Sequence, residues 1–272
     1  MKKENLVGGV LAIIAALMGI IGHFVLFLKW YQIGMNTPSA EPGCEILLKT
    51  IHPLMADFGM FGGVLFAVSA YGYFTRRNWA FFLSTVALVL ALLGSWFVNV
   101  PYMAAGLPPI YFPLFWPYLI LYFLFMVVVG KVSWSRTLLG LLTGVAYIFC
   151  WMNGVASTSR MITIGAPIFT LVQHLNWVAM IGWAVITVGI IMQPKDWMRV
   201  LGLVAGTTEL VVGIPLTIAT AQQLGRFSLF ALAPISCLIL LVLLIWPNLW
   251  ERLTKTGVEK AVIQPVAGIA LQ

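Results

Sequence analysis

Eight stretches of the chain, at about 6–29, 51–74, 79–99, 111–130, 134–156, 164–192, 198–220 and 227–247, are almost wholly apolar. Each is near the roughly 20 residues that carry a helix across a hydrocarbon core. Lipid offers no water to satisfy backbone polar groups, so such stretches must close their own hydrogen bonds as helices. The expected fold class is therefore all-α, a polytopic membrane protein with eight transmembrane helices. Composition closes the alternatives: 61% of residues are hydrophobic and only 8% charged, where a soluble domain carries about a quarter. Disorder, a fibrous repeat and a secreted disulfide scaffold are excluded together. Lys2-Lys3 before an apolar run opens like a signal peptide. The run is too long and no small-residue cleavage site follows, so it reads as the first span.

The charges then set an orientation. With the N-terminus inside, the inner segments hold Lys2, Lys3, Arg76, Arg77, Lys131, Arg136, Lys195, Arg199, Arg252, Lys255 and Lys260. The outer segments hold Lys29, Lys49, Arg160 and Arg226, a split of 11 to 4 among the 15 basic residues. Positive charge inside predicts both termini on the cytoplasmic side of the cytoplasmic (inner) membrane. The net charge of +7 is thus a topology signal, and no basic face interleaved with aromatics supports nucleic-acid binding. Trp30, Trp96 and Trp151 near outer boundaries, and Trp79, Trp134, Trp197 and Trp250 near inner ones, make interfacial belts. Cys44, Cys150 and Cys237 form no CxxC and are too few for a framework. Neither a disulfide nor a metal site is expected.

The second half echoes the first. Asn78-Trp79 and Asp196-Trp197 lie at an offset of 118, Pro117 and Pro234 at 117, and Trp134-Ser135-Arg136 and Trp250-Glu251-Arg252 at 116. A nearly constant offset marks a repeat. Four spans return the chain to the same side, so the halves are expected as two parallel four-helix bundles. Residues 1–133 form the first, 134–250 the second, and 251–272 a cytoplasmic tail. The first outer loop, about 30–50, is expected to be longer than its counterpart near 157–163.

Ionisable groups inside the spans are costly, and each is a functional candidate. Two acids, Asp57 and Glu209, and three histidines, His23, His52 and His174, lie within spans or at their mouths. Ala15, Gly19 and His23 recur every four residues, and Gly202, Ala205, Gly206, Glu209 and Gly213 form a similar stripe. Small residues on one face mark close helix packing, which turns His23 and Glu209 towards protein. Each has a plainer reading. Glu209 can be a structural hydrogen-bonding group beside Thr207 and Thr208, and His52, ahead of Pro53, can cap a helix. Asn99, Asn153 and Asn176 read as interhelical hydrogen-bonding groups.

Two four-helix halves with cytoplasmic termini and a long first outer loop resemble the haem A synthase family. The strings that carry the likeness are Thr50-Ile51-His52-Pro53, Val172-Gln173-His174-Leu175, Ala91-Leu92-Leu93-Gly94 and Thr208-Glu209-Leu210-Val211-Val212-Gly213. The resemblance implies histidine pairs on the second and fourth helices of each half, each pair holding a haem. It places His52 and His174 on the second helices. Pro117 and Pro234 stand about where the fourth-helix histidines would be, and Lys49 occupies the position of the family's catalytic Glu. This chain is then a divergent member lacking half of the ligand histidines. Three histidines cannot pair around two haems, so at most one haem b is expected, from His23 and His52.

Three functional readings follow, the plainest being an accessory subunit whose polar residues only lock helices together. Another is a haem- or quinone-binding redox module with its site in the outer half of the bilayer. It would use His23, His52 and His174 for the cofactor, with Glu209 and Asp57 for the chemistry. The alternative is a transporter of a small solute, proton or cation, with a midplane site between the repeats formed by Asp57, His174 and Glu209. Membrane lipid, a haem, quinone or small-molecule ligand, and further membrane-complex subunits are the partners these readings admit. No Walker motif, HExxH, GxSxG or dinucleotide fingerprint supports soluble-type catalysis.

Overall fold

The computed structural model describes residues 3–254 except Ala40 and Pro42. Lys2, Lys255, Lys260 and the rest of the expected tail beyond Thr254 lie outside the described residues. Every regular element described is helical. The long helices are α1 (Lys3–Asn36), α2 (Cys44–Phe74), α3 (Ala80–Ala104), α4 (Phe112–Val129), α5 (Trp134–Ile164), α6 (Pro167–Met192) and α7 (Asp196–Leu224), each long and apolar enough to cross a membrane. The next, α8 (Leu229–Ile245), meets that test together with the short α9 (Pro247–Thr254), against which it is bent by 97°. Seven to eight spans result. The bend has a local cause: Pro247 pushes the preceding Trp246 into extended backbone, φ −91° and ψ 110°.

Several helices run further than the hydrophobic pattern alone indicated. The first connection, expected at about 30–50, shrinks to residues 37–43, because α1 reaches Asn36 and α2 starts at Cys44. The expected loop near 157–163 is not a loop. It is the last turns of α5, where Ser and Arg are accommodated by burial against neighbouring protein. That helix stops at Gly165 (φ +68°), whose N–H turns back to the carbonyls of Arg160 and Met161, a left-handed glycine stop. Pro167 then opens α6 at a position needing no N–H donor.

Helix neighbours follow chain order in both halves. α1 packs on α2, α2 on α3, α3 on α4, and α4 returns to α1; α5 packs on α6, α6 on α7, α7 on α8, and α8 returns to α5. Between the halves, α3 meets α5 and α6. Phe58 and Trp151 lie 5.5 Å apart by ring centroids, and Trp96 and Phe149 5.4 Å.

Packing is inside out, as lipid requires. Large side chains such as Leu171, Val211 and Ile120 point outwards at 60% exposure or more. Small ones hold the helices together: a Cβ on Gly19 of α1 would stand 2.5 Å from Gly63 Cα of α2. Both small-residue stripes are buried, His23 and Glu209 with them. Trp79, Trp134 and Trp197 are exposed, whereas Trp151 and Trp250 are buried and so are core residues rather than belt residues.

Two arginines close helix ends in the second half. Arg136 of α5 donates to the carbonyls of Ile190 and Ile191 at the end of α6, at 3.2 and 2.7 Å. Arg199 of α7 donates to those of Leu244 and Ile245 at the end of α8, at 2.6 and 2.9 Å. Each cation satisfies orphan carbonyls and opposes the negative end of a helix dipole.

Candidate functional site

Both buried histidines directly follow a π-helical stretch. Met18–Gly22 precedes His23 in α1, and Leu47–Ile51 precedes His52 in α2. Such widened turns occur frequently at functional sites, because they re-aim the following side chain. Here they direct both imidazoles into the interior of the first half, where His23 is fully buried and His52 nearly so.

The bonding around His52 defines its tautomer. Tyr102 Oη donates to the Trp30 carbonyl at 2.8 Å. Its single proton is then used, so at 3.0 Å from His52 Nδ1 it acts as acceptor, and Nδ1 carries the hydrogen. The Nε2 lone pair, left without a hydrogen, accepts from Tyr111 Oη at 3.1 Å, the shorter of that hydroxyl's two contacts, the other being the His23 carbonyl at 3.4 Å. Tyr111 is itself fixed, its N–H donating to Asn99 Oδ1 at 2.8 Å while the Asn99 amide donates to Ser95 and Trp96. A directed chain results, Tyr111 to His52 to Tyr102 to the Trp30 carbonyl, joining α1, α2 and α3 with the approach to α4.

His23 is less fully satisfied. Its Nδ1 lies 3.1 Å from the Gly19 carbonyl and must donate to it, leaving Nε2 as a lone pair with no hydrogen-bond partner among the described residues. The ring sits between Tyr111 and Tyr118, at 5.3 and 6.1 Å by centroids. It fills the space beside Gly59, where any Cβ would overlap it.

The second half has its own polar centre. Glu209 of α7 is fully buried. Its Oε1 accepts from Asn153 Nδ2 of α5 at 2.9 Å, and the same nitrogen donates to the Phe230 carbonyl at 3.1 Å. Glu209 Oε2, Asn153 Oδ1 and Asn176 Oδ1 have no hydrogen-bond partner among the described residues, and Glu209 belongs to neither ion pair seen there. Cys150 and Cys237 meet beside this centre with sulfurs 4.0 Å apart, both free thiols.

The structure thus gathers His23 with His52 and places Glu209 in a separate pocket of polar groups. It does not bring Asp57 or His174 to either. Both are exposed on the outward faces of α2 and α6, so Asp57, His174 and Glu209 form no cluster. Sequence reasoning missed Tyr102 and Tyr111, whose only signal is a tyrosine beside the prolines at the outer ends of two spans. Asn153 reads from the sequence as an interhelical hydrogen-bonding group, and it is one, with the buried Glu209 as its partner.

The fit of a haem b can be judged from these contacts. Axial ligation needs an imidazole nitrogen free to face the iron. Both nitrogens of His52 are engaged by tyrosine hydroxyls, and His23 is seated against the Gly59 backbone between two tyrosine rings. As packed, the pair does not fit a bis-histidine haem. No cluster of three or more His, Cys, Asp or Glu able to hold a metal ion occurs among the described residues. No protein-family model, curated protein or solved structure matches the chain.

Proposed function

We propose that this multi-pass membrane protein is a proton- or cation-coupled transporter of a small solute, with Glu209 as the coupling group. In this reading the chain sits in the cytoplasmic membrane with both termini inside, as the 11-to-4 charge split favours. Its two halves act as parallel four-helix units. The single observation that carries the reading is the Glu209 environment: a fully buried carboxyl with one oxygen bonded to Asn153 and, among the described residues, no hydrogen-bond partner for the other and no ion pair. Taking a carboxylate out of water costs several kcal/mol unless a cation or a proton relieves it. Intramembrane acids so placed mark ion pathways. Pro215, six residues on within α7, supplies a break around which that helix can bend.

A redox role has one observation in its favour, the Nε2 lone pair of His23, an acceptor with no hydrogen-bond partner among the described residues. The experiment is reconstitution into liposomes loaded with a pH-sensitive dye and challenged with a panel of amino acids, organic anions, sugars and alkali cations. One class should drive a dye response with the native chain and none with Glu209→Gln. A native protein that moves no proton or cation with any of them would reject the reading.

A further inference from the structure

Arg160 has no role in the account above. It lies one turn from the end of α5, is only 6% exposed, and its Nε–H has no acceptor among the described residues. A buried guanidinium normally finds a carboxylate or several carbonyls, because an uncompensated cation in low dielectric is costly. Here the Phe230 ring lies 4.9 Å from the guanidinium carbon and the Glu41 carboxylate, itself paired with Arg226, acts on it through space; a cation–π contact and a shared carboxylate offset only part of that cost.

The guanidinium lines a small cleft of about 50 Å³ at the outer end of the molecule, where the two halves meet. Leu47 and Val100 contribute from the first half, and Met152, Leu224 and Phe227 from the second, so the walls are mainly apolar. A second donor faces the same space. Ser228 is 1% exposed, its hydroxyl accepts from the Phe230 N–H at 3.3 Å, and it donates to none of the described residues. The other charges on the cleft, Arg226 and Glu41, are paired with each other. The site therefore carries one unbalanced positive charge, one spare hydroxyl donor and apolar walls.

We infer that this cleft binds a singly charged oxyanion attached to an apolar chain, with Arg160 gripping the anion and Ser228 donating to it. The planar fork of an arginine suits a carboxylate or a phosphodiester, and the cleft holds the anionic group itself, with the chain running out along its apolar walls. A free amphiphilic carboxylate and an anionic lipid headgroup share this chemistry. This inference does not depend on the role of Glu209.

The test uses the full chain in phosphatidylcholine nanodiscs. Octanoate is titrated calorimetrically against empty nanodiscs, with octanol as the uncharged control. In a second arm, lipid retention is read by native mass spectrometry after equilibration with phosphatidylglycerol. Saturable octanoate binding without octanol binding is expected if the anion is a free carboxylate, and selective phosphatidylglycerol retention if it is a headgroup. Arg160→Gln should weaken whichever is bound by about tenfold or more, the worth of a hydrogen bond to a charged group. Ala104→Phe, which fills the cleft and leaves the arginine intact, should do the same. It also carries the test should Arg160→Gln fail to fold. Native protein that binds neither probe, or folded variants that bind as the native chain does, would overturn the inference.

Discussion

Asn153 holds Glu209 in place with the same nitrogen that holds Phe230: Nδ2 donates to Glu209 Oε1 at 2.9 Å and to the Phe230 carbonyl at 3.1 Å. The amide orientation follows from the chemistry, since the flipped form would set its oxygen against the Phe230 carbonyl, which can only accept. Phe230 in turn presents its ring to Arg160. Through two residues, the buried acid in the core is joined to the arginine of the outer cleft.

Asn153→Leu should therefore cost stability as well as disturb the centre. It leaves Glu209 Oε1 and the Phe230 carbonyl buried without a donor, at about 1–3 kcal/mol for each such group. Thermal unfolding in detergent should show a clear drop for Asn153→Leu. A midpoint equal to that of the native chain would mean that the bonds contribute nothing.

The tautomer of His52 is a sharper expectation. Nitrogen NMR of histidine-labelled protein should find His52 neutral with hydrogen on Nδ1 and an accepting Nε2. Tyr102→Phe removes the acceptor of that hydrogen and should shift the population towards the other form. A native His52 protonated on Nε2 alone would refute the directed chain through Tyr111 and Tyr102.

Gly59 and His23 should behave as a coupled pair. The imidazole occupies the place of a Cβ at residue 59, so Gly59→Ala overpacks the contact and should destabilise by about 1–3 kcal/mol. Adding His23→Ala should recover a substantial part of that loss. Strictly additive effects in the double-mutant cycle would show that the two residues do not touch.

Much of this arrangement was legible because small residues leave a periodic trace. The stripes ending at His23 and including Glu209 gave their direction, and both side chains are buried. Asp57 and His174 have no such stripe behind them. Being ionisable within an apolar run says that a residue is costly there, not which way it points, and both face outwards. A helix end was legible before Pro247, where proline stops the helix; the stop at Gly165 was not, because the apolar pattern ends at 156 and resumes at 164. Elsewhere α1, α3 and α5 continue past the apolar pattern, because a helix does not stop where its side chains turn polar, and in α5 those side chains are buried against protein. The partners of His52 come from α3 and the segment after it, 50 and 59 residues away. Contacts that distant leave no pattern in a single sequence. Arg160 registered only as an outer charge, since burial is a tertiary fact.

Topology gives an independent check. Reporter fusions after Ser39 and after Thr254 should lie on opposite sides of the membrane, because α1 separates the first from the N-terminus and eight crossings separate the second. Reporters on the same side would remove either α8 as a span or the inside location of the N-terminus.

As the coupling group, Glu209 must exchange a proton or cation from a fully buried position. Infrared difference spectroscopy of the reconstituted protein, with Glu209→Gln as the reference, measures this directly. A carboxyl band present in the native chain and missing from Glu209→Gln should appear and disappear reversibly with pH or with added alkali cation. A Glu209 band that does not respond to either, in protein shown to be folded, would contradict the account and leave Glu209 as a structural partner of Asn153.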